Sequence, residues 1–144
     1  MLRVSKLTDY GSVILSYMAS HPNKTMSAAK LAKGVLLPPA TVSKLLKILV
    51  NSGLLRSSLG KQGGYKLARP ADEISLADII NVLEGPIALT ECSVQKGLCR
   101  IEDNCEIRQN WRSVNRIIQQ SLAQVSLQDM LPVRNKAKAI ILSG

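Results

Sequence analysis

The sequence predicts a mainly α protein with a small β-hairpin wing: a winged helix-turn-helix followed by a long C-terminal dimerisation helix. Three observations predict it. Apolar residues recur at helical spacing in blocks punctuated by Pro and Gly. Two short strand-like runs flank a loop that holds three glycines. The 144 residues contain no Phe and only 3% aromatics, so the core must come from Leu, Ile, Val and Ala, which suit packed helices. At 46% hydrophobic and 20% charged the composition is that of a folded globular chain, and the length suits one compact domain with an arm.

Thr8 can cap a first helix in which Tyr10, Val13, Ile14, Tyr17 and Met18 share the core face. His21-Pro22-Asn23 ends it. Ser27 caps a second, short helix with Ala28, Leu31 and Ala32 turned inward, and Gly34 breaks it. Pro38 and Pro39 suit the first turn of a third helix, where a missing amide donor costs little; Val42, Leu45, Leu46, Leu49 and Val50 form its apolar face and Gly53 its stop. Two short helices joined by such a turn form a helix-turn-helix, whose second member enters the DNA major groove. Leu54–Ser58 and Tyr65–Arg69 then read as the strands of a wing around the glycine-rich turn. Ser75, with Asp78 three residues on, caps a fourth helix whose Leu76, Ile79, Ile80 and Leu83 face inward, and Gly85-Pro86 closes residues 1–85 as a DNA-binding domain.

Residues 86–105 show no sustained periodicity and read as a loop that contains every cysteine. From Glu106 to Val125, Ile107, Trp111, Val114, Ile118, Leu122 and Val125 recur at helical steps, giving a helix of about 20 residues, or about 30 Å. This stripe lies beyond the winged unit and needs a second chain to cover it; packing onto the first helix is the alternative. Residues 106–130 are therefore assigned to a dimerisation helix region, with a short helix after Ser126, and 131–144 to an unassigned tail.

The net charge of +9 is unevenly placed: residues 1–71 hold eleven Lys or Arg against one acid, Asp9, while the remainder is nearly neutral. Such a basic half fits phosphate attraction, although a merely solvated basic surface has the same composition. On the third helix Thr41, Ser43, Lys44 and Lys47 lie away from the core face, a set able to bond base edges and phosphates. Lys61, Gln62 and Lys66 on the wing suit phosphate or minor groove, and Lys30 and Arg56 suit backbone contacts. No apolar run reaches the length of a membrane span, and Met1–Lys6 lacks the core of an export signal, so a cytoplasmic protein without membrane partner is expected.

Cys92, Cys99 and Cys105 form C-x6-C-x5-C, which lacks the tight pairs of most structural zinc sites and of thiol-disulfide enzymes. Wide spacing suits a larger ligand such as an iron-sulfur cluster, which normally takes a fourth protein donor. Three buried structural thiols are the competing reading. A cysteine enzyme fits poorly: the single histidine, His21, lies in a turn far upstream, and neither a phosphate-cradling glycine motif nor a nucleophile elbow is present.

Several motifs resemble one family. They are Leu7-Thr8-Asp9-Tyr10, Thr41-Val42-Ser43-Lys44, Ser52-Gly53-Leu54, the run from Gly63 to Pro70, Glu73-Ile74-Ser75-Leu76, Leu83-Glu84-Gly85-Pro86 and Leu89-Thr90-Glu91-Cys92. Over nearly the whole chain the sequence is similar to the bacterial winged-helix regulators that include the iron-sulfur cluster assembly regulator and the nitric-oxide-sensing repressor. It is most like the branch controlling the Suf cluster-assembly operon. The resemblance implies a homodimer crossed through the long helix, a palindromic double-stranded DNA operator, and a cluster on the three cysteines, [2Fe-2S] ahead of [4Fe-4S], whose state sets operator affinity. Some members supply the fourth ligand from a His three residues after the last Cys, but here that residue is Arg108. Others use a carboxylate of the partner subunit at the position of Asp9, which the resemblance therefore implies as the fourth ligand. Many relatives place an Arg before the wing glycine, where this chain has Leu59. The alternatives carried forward are a zinc-bound or metal-free thiol-sensing repressor and, behind it, a cysteine-based redox enzyme.

Overall fold

The computed structural model describes residues 3–132, so the tail beyond Pro132 lies outside the described residues. Helix α1 spans Lys6–Ala19, α2 Ala28–Val35 and α3 Pro39–Asn51. Strands β1 (Leu55–Ser58) and β2 (Gly64–Leu67) form an antiparallel hairpin, Leu55 opposite Leu67 and Arg56 opposite Lys66. A bridge from Met26 to Tyr65 adds the chain before α2 to the outer side of β2. Then follow α4 (Leu76–Leu83), the one-turn α5 (Glu91–Val94) and the long α6 (Arg108–Gln124). The mainly helical winged fold expected from the sequence is the fold observed.

The local signals explain most of these elements, with three corrections. Ser5, not Thr8, caps α1: its extended backbone precedes the helix and its hydroxyl accepts from the Thr8 amide at 3.2 Å, while Thr8 itself is buried within the first turn. The inner face of α1 is rotated from the expected stripe. Gly11, Ile14, Leu15 and Met18 are buried and Val13 is exposed, because α4 approaches so closely that a Cβ on Gly11 would collide with the Leu83 side chain. Gly34 does not break α2 either. The helix runs through it to Val35, and Leu36 takes the left-handed cap position at φ 58°. Gly34 is small because the Tyr17 ring occupies the space a side chain would need. Ser27 caps α2 and Ser75 forms a reciprocal capping box with Asp78, both as the sequence indicates.

The core is aliphatic. Ile14, Leu15, Leu31, Leu45, Leu46, Leu49 and Ile79 from α1 to α4 are fully buried, joined by Leu55 of the wing. Leu127 belongs there too, although no periodicity marks it: it is fully buried, and its amide donates to the Ile74 carbonyl at 2.7 Å. The Leu76 amide donates to the Val125 carbonyl at 2.8 Å, so the chain that leaves the winged body at Gly85 is tied back to it as α6 ends. The segment after Ser126 forms a single 3-10 turn, Gln128–Met130.

Candidate nucleic-acid interface and cysteine loop

Helix α3 has two faces set by its sequence. Val42, Leu45, Leu46 and Leu49 bury against α1, α2 and α4, which leaves Ser43, Lys44 and Lys47 exposed on the opposite side and Thr41 half-buried at the boundary. No acid lies in its first turn. Lys30 is exposed at the start of α2, and Lys61, Gln62, Arg56 and Lys66 are exposed on the wing. Strand alternation sends Leu55, Leu67 and Tyr65 toward the body and Arg56 and Lys66 away from it. These two cations line a cleft of about 830 Å³ whose wall also carries Lys24 and Arg69. Lys24 lies on the loop before α2 and meets the wing through the Met26 bridge, a pairing distant in sequence, whereas Arg69 directly follows β2. Leu59 stands fully exposed at the wing tip.

The long helix carries polar anchors on its inward side and several apolar residues on its outward side. Its inward side is polar: buried Asn115 accepts from the Leu89 amide at 2.9 Å and donates to the Ile87 carbonyl at 3.1 Å, and Gln119 donates to the same carbonyl at 2.9 Å. Four of its apolar residues face out. Ile107, Trp111, Val114 and Ile117 are exposed, and the half-buried Ile118 and Leu122 line a cleft of about 430 Å³ with Val4, Ile80 and Pro86. Packing of α6 is chiefly against α4, so the alternative of covering its stripe with α1 does not hold.

The region 86–105 is more ordered than the loop expected. Cys92 lies on α5 with its Sγ 3.2 Å from Thr90 Oγ1, and a 3-10 turn, Glu102–Asn104, separates Cys99 from Cys105. All three thiols are free and half-buried. Asp9 is exposed in the first turn of α1, where a carboxylate also suits the helix dipole. The structure does not bring these residues together. Among the described residues no three His, Cys, Asp or Glu side chains are grouped so as to hold a metal ion. The thiols have the right chemistry for an iron-sulfur cluster, and within one chain they are not gathered into such a site. Glu102 organises this region instead, accepting from the Gly97 amide at 2.6 Å and from Arg112 at 2.8 Å. Arg108 donates to the Glu102 carbonyl at 3.2 Å. His21 is engaged at the end of α1: its Nδ1 pairs with the Tyr17 carbonyl and its ring packs on Tyr17.

At the base of the arm Glu84 accepts from the Ser5 amide at 2.5 Å. The Thr8 hydroxyl and then the Ser5 amide hold its carboxyl below the ordinary value, against a smaller opposing effect of burial.

The profile of the family described as "Rrf2: Iron-dependent Transcriptional regulator" matches residues 4–132. The chain belongs to the Rrf2 family. Among curated relatives it is 28% identical over 134 residues to protein aau3 of Rhizobium meliloti, covering 92% of this chain and 87% of that one. Among solved structures it is similar to CymR (YrzC), the global cysteine regulator of B. subtilis, at 29% identity and TM-score 0.68, over 90% of this chain and 96% of that one. It is likewise similar to T. potens IscR, at 30% identity and TM-score 0.66, over 90% and 85%. This Rrf2 chain is thus a transcriptional regulator and not an enzyme. Among its described residues no helix is long and apolar enough to cross a membrane.

Proposed function

We propose that this Rrf2 regulator acts as a homodimer on a palindromic double-stranded operator in the cytoplasm, and that its cysteine loop is the sensor that sets operator affinity. The carrying observation is the outward face of α3: Ser43, Lys44 and Lys47 stand exposed beside a cationic wing, on a half of the chain with one acid before residue 72. In this reading Lys44 and Lys47 contact phosphates, and Thr41 and Ser43 reach base edges near them. Lys30, Arg56, Lys61, Gln62 and Lys66 extend the footprint along the backbone. The outward apolar side of α6 supports the dimer, since a second copy of the same helix buries Trp111 and Val114 that one chain leaves in water.

The sensor ligand follows from the resemblance: an iron-sulfur cluster, [2Fe-2S] ahead of [4Fe-4S], on Cys92, Cys99 and Cys105 with Asp9 of the partner subunit, in a regulator of Suf-type cluster assembly. The second reading, a zinc-bound or metal-free thiol sensor, draws on the free, ungrouped thiols and on the likeness to a global cysteine regulator. Two measurements test the proposal. Selection of bound duplexes from a random pool is expected to recover a palindrome whose half-sites lie a whole number of helical turns apart; recovery of no preferred sequence contradicts it. Anaerobic purification with iron and sulfide analysis separates the ligands: a brown protein with both supports the cluster, and a colourless one supports the thiol reading.

A further inference from the structure

Among the described residues Glu102 is the only charged side chain that is buried, at 4% exposure. Taking a carboxylate out of water is costly unless hydrogen bonds and opposite charge replace the water, and here they do. Oε2 accepts from the Gly97 amide at 2.6 Å, Oε1 accepts from Arg112 Nη2 at 2.8 Å, and Arg108 Nη1 lies 3.8 Å from Oε1. Arg112 does more than neutralise it. Its Nε donates to the Cys92 carbonyl at 3.2 Å, so one guanidinium on α6 grips the backbone at the first cysteine and the carboxylate between the second and third. Arginine alone among cations offers such a rigid, two-edged fork. Neither arginine is placed to favour the helix dipole, since both lie in the opening turns of α6, where positive charge is disfavoured. Glu102 offsets that. The loop and the helix therefore depend on the same carboxylate.

We propose that Glu102 and Arg112 are positioning residues that hold the cysteine loop closed on α6 and pass the chemical state of its thiols to that helix. The proposal rests on the reading of the loop as the sensor, and names how that sensor is wired. In the described closure the three thiols do not form a metal-holding group. A ligand that draws the Cys92 backbone away from Glu102 breaks one end of the Arg112 fork, which spans that interval. Trp111, the neighbour of Arg112 in α6, lies on the exposed apolar side that the dimer reading covers, so a moved fork reaches the subunit contact through one helix.

The test uses the reduced full chain, limiting iodoacetamide, and mass spectrometry of the peptides carrying each cysteine, with far-ultraviolet circular dichroism as a control. Glu102→Gln keeps the shape but sets an amide nitrogen against either the Gly97 amide or Arg112. Alkylation of Cys99 and Cys105 is expected to accelerate about tenfold or more, the worth of one charge-assisted hydrogen bond in a local opening equilibrium. Arg112→Lys keeps the charge but cannot span both partners, and is expected to accelerate Cys92 as well. In a second readout, the ratio of duplex affinities before and after complete alkylation collapses toward one in Arg112→Lys. Wild-type alkylation rates in both variants overturn the proposal. So does loss of helicity in both, which makes the pair part of the fold and not a holder of the loop. A wild-type duplex affinity indifferent to alkylation sinks the sensor reading, while the alkylation rates still decide the latch.

Discussion

Replacing Lys47 by Ala removes one exposed cation from the outward face of α3 and leaves the buried face, Leu45, Leu46 and Leu49, untouched. A lysine that neutralises a phosphate releases a counterion and contributes about 0.9 to the downward slope of log affinity against log salt on B-form DNA. Six exposed cations of the proposed footprint, Lys30, Lys44, Lys47, Arg56, Lys61 and Lys66, together set a slope of about −5.4 per subunit. Over a fourfold rise in salt, from about 50 to about 200 mM, each lost contact narrows the gap between wild type and variant about 3.5-fold, or about 12-fold for a dimer that loses two. Fluorescence anisotropy of a labelled duplex of unrelated sequence, titrated at several salt concentrations, reads this directly. Lys47→Ala is expected to bind all duplexes more weakly at low salt and to converge on wild type as salt rises. Parallel lines for the two proteins refute the reasoning, whatever the absolute affinities, because they show that no counterion was released at Lys47.

Leu127→Ala opens a cavity in a fully buried site and is expected to cost about 3 kcal/mol in urea unfolding; a loss below about 1 kcal/mol contradicts its place in the core. Val114→Glu puts a charge on the exposed side of α6, so the chain is expected to keep its helicity while its dimer dissociates in sedimentation experiments, and an unshifted dimer excludes that face from the contact. Glu84 has a lowered folded value, so its contribution to stability is present above its ordinary 4.5 and fades as pH falls through the folded value. Glu84→Gln is therefore expected to show a smaller drop in urea midpoint than wild type between about pH 6 and about pH 3.5; equal drops argue that the Ser5 and Thr8 bonds do not hold in solution.

The parts of the fold that were legible in the sequence are those set by neighbours in the chain. Ser75 and Asp78 are three apart and cap their helix whatever surrounds it, and the apolar face of α3 follows from its own spacing, which also defines the opposite, solvent-exposed side. The misread parts depend on partners far away. Thr8 and Ser5 are both able to cap α1, and only the course of the preceding backbone chooses between them. Gly11 marks an inner face by having no side chain, a signal that scanning for bulky apolar residues passes over. Leu127 is a single leucine in an aperiodic stretch, buried because Ile74 and Leu76 pair with its backbone neighbourhood. The same limit applies to the cysteine loop. Its three thiols were evident from composition, but Glu102 reads as one more surface acid until α6 brings Arg108 and Arg112 against it.

The claim that the loop governs the grip on DNA is tested most directly by one comparison: affinity for the selected palindrome, at one fixed salt concentration, of the same dimer preparation before and after its loop thiols are occupied, by iron and sulfide or by alkylation. The account predicts a change of about 5-fold to about 150-fold, the range of ordinary allosteric coupling. Identical affinities in both states contradict it and leave a dimer that binds DNA without sensing anything through Cys92, Cys99 and Cys105.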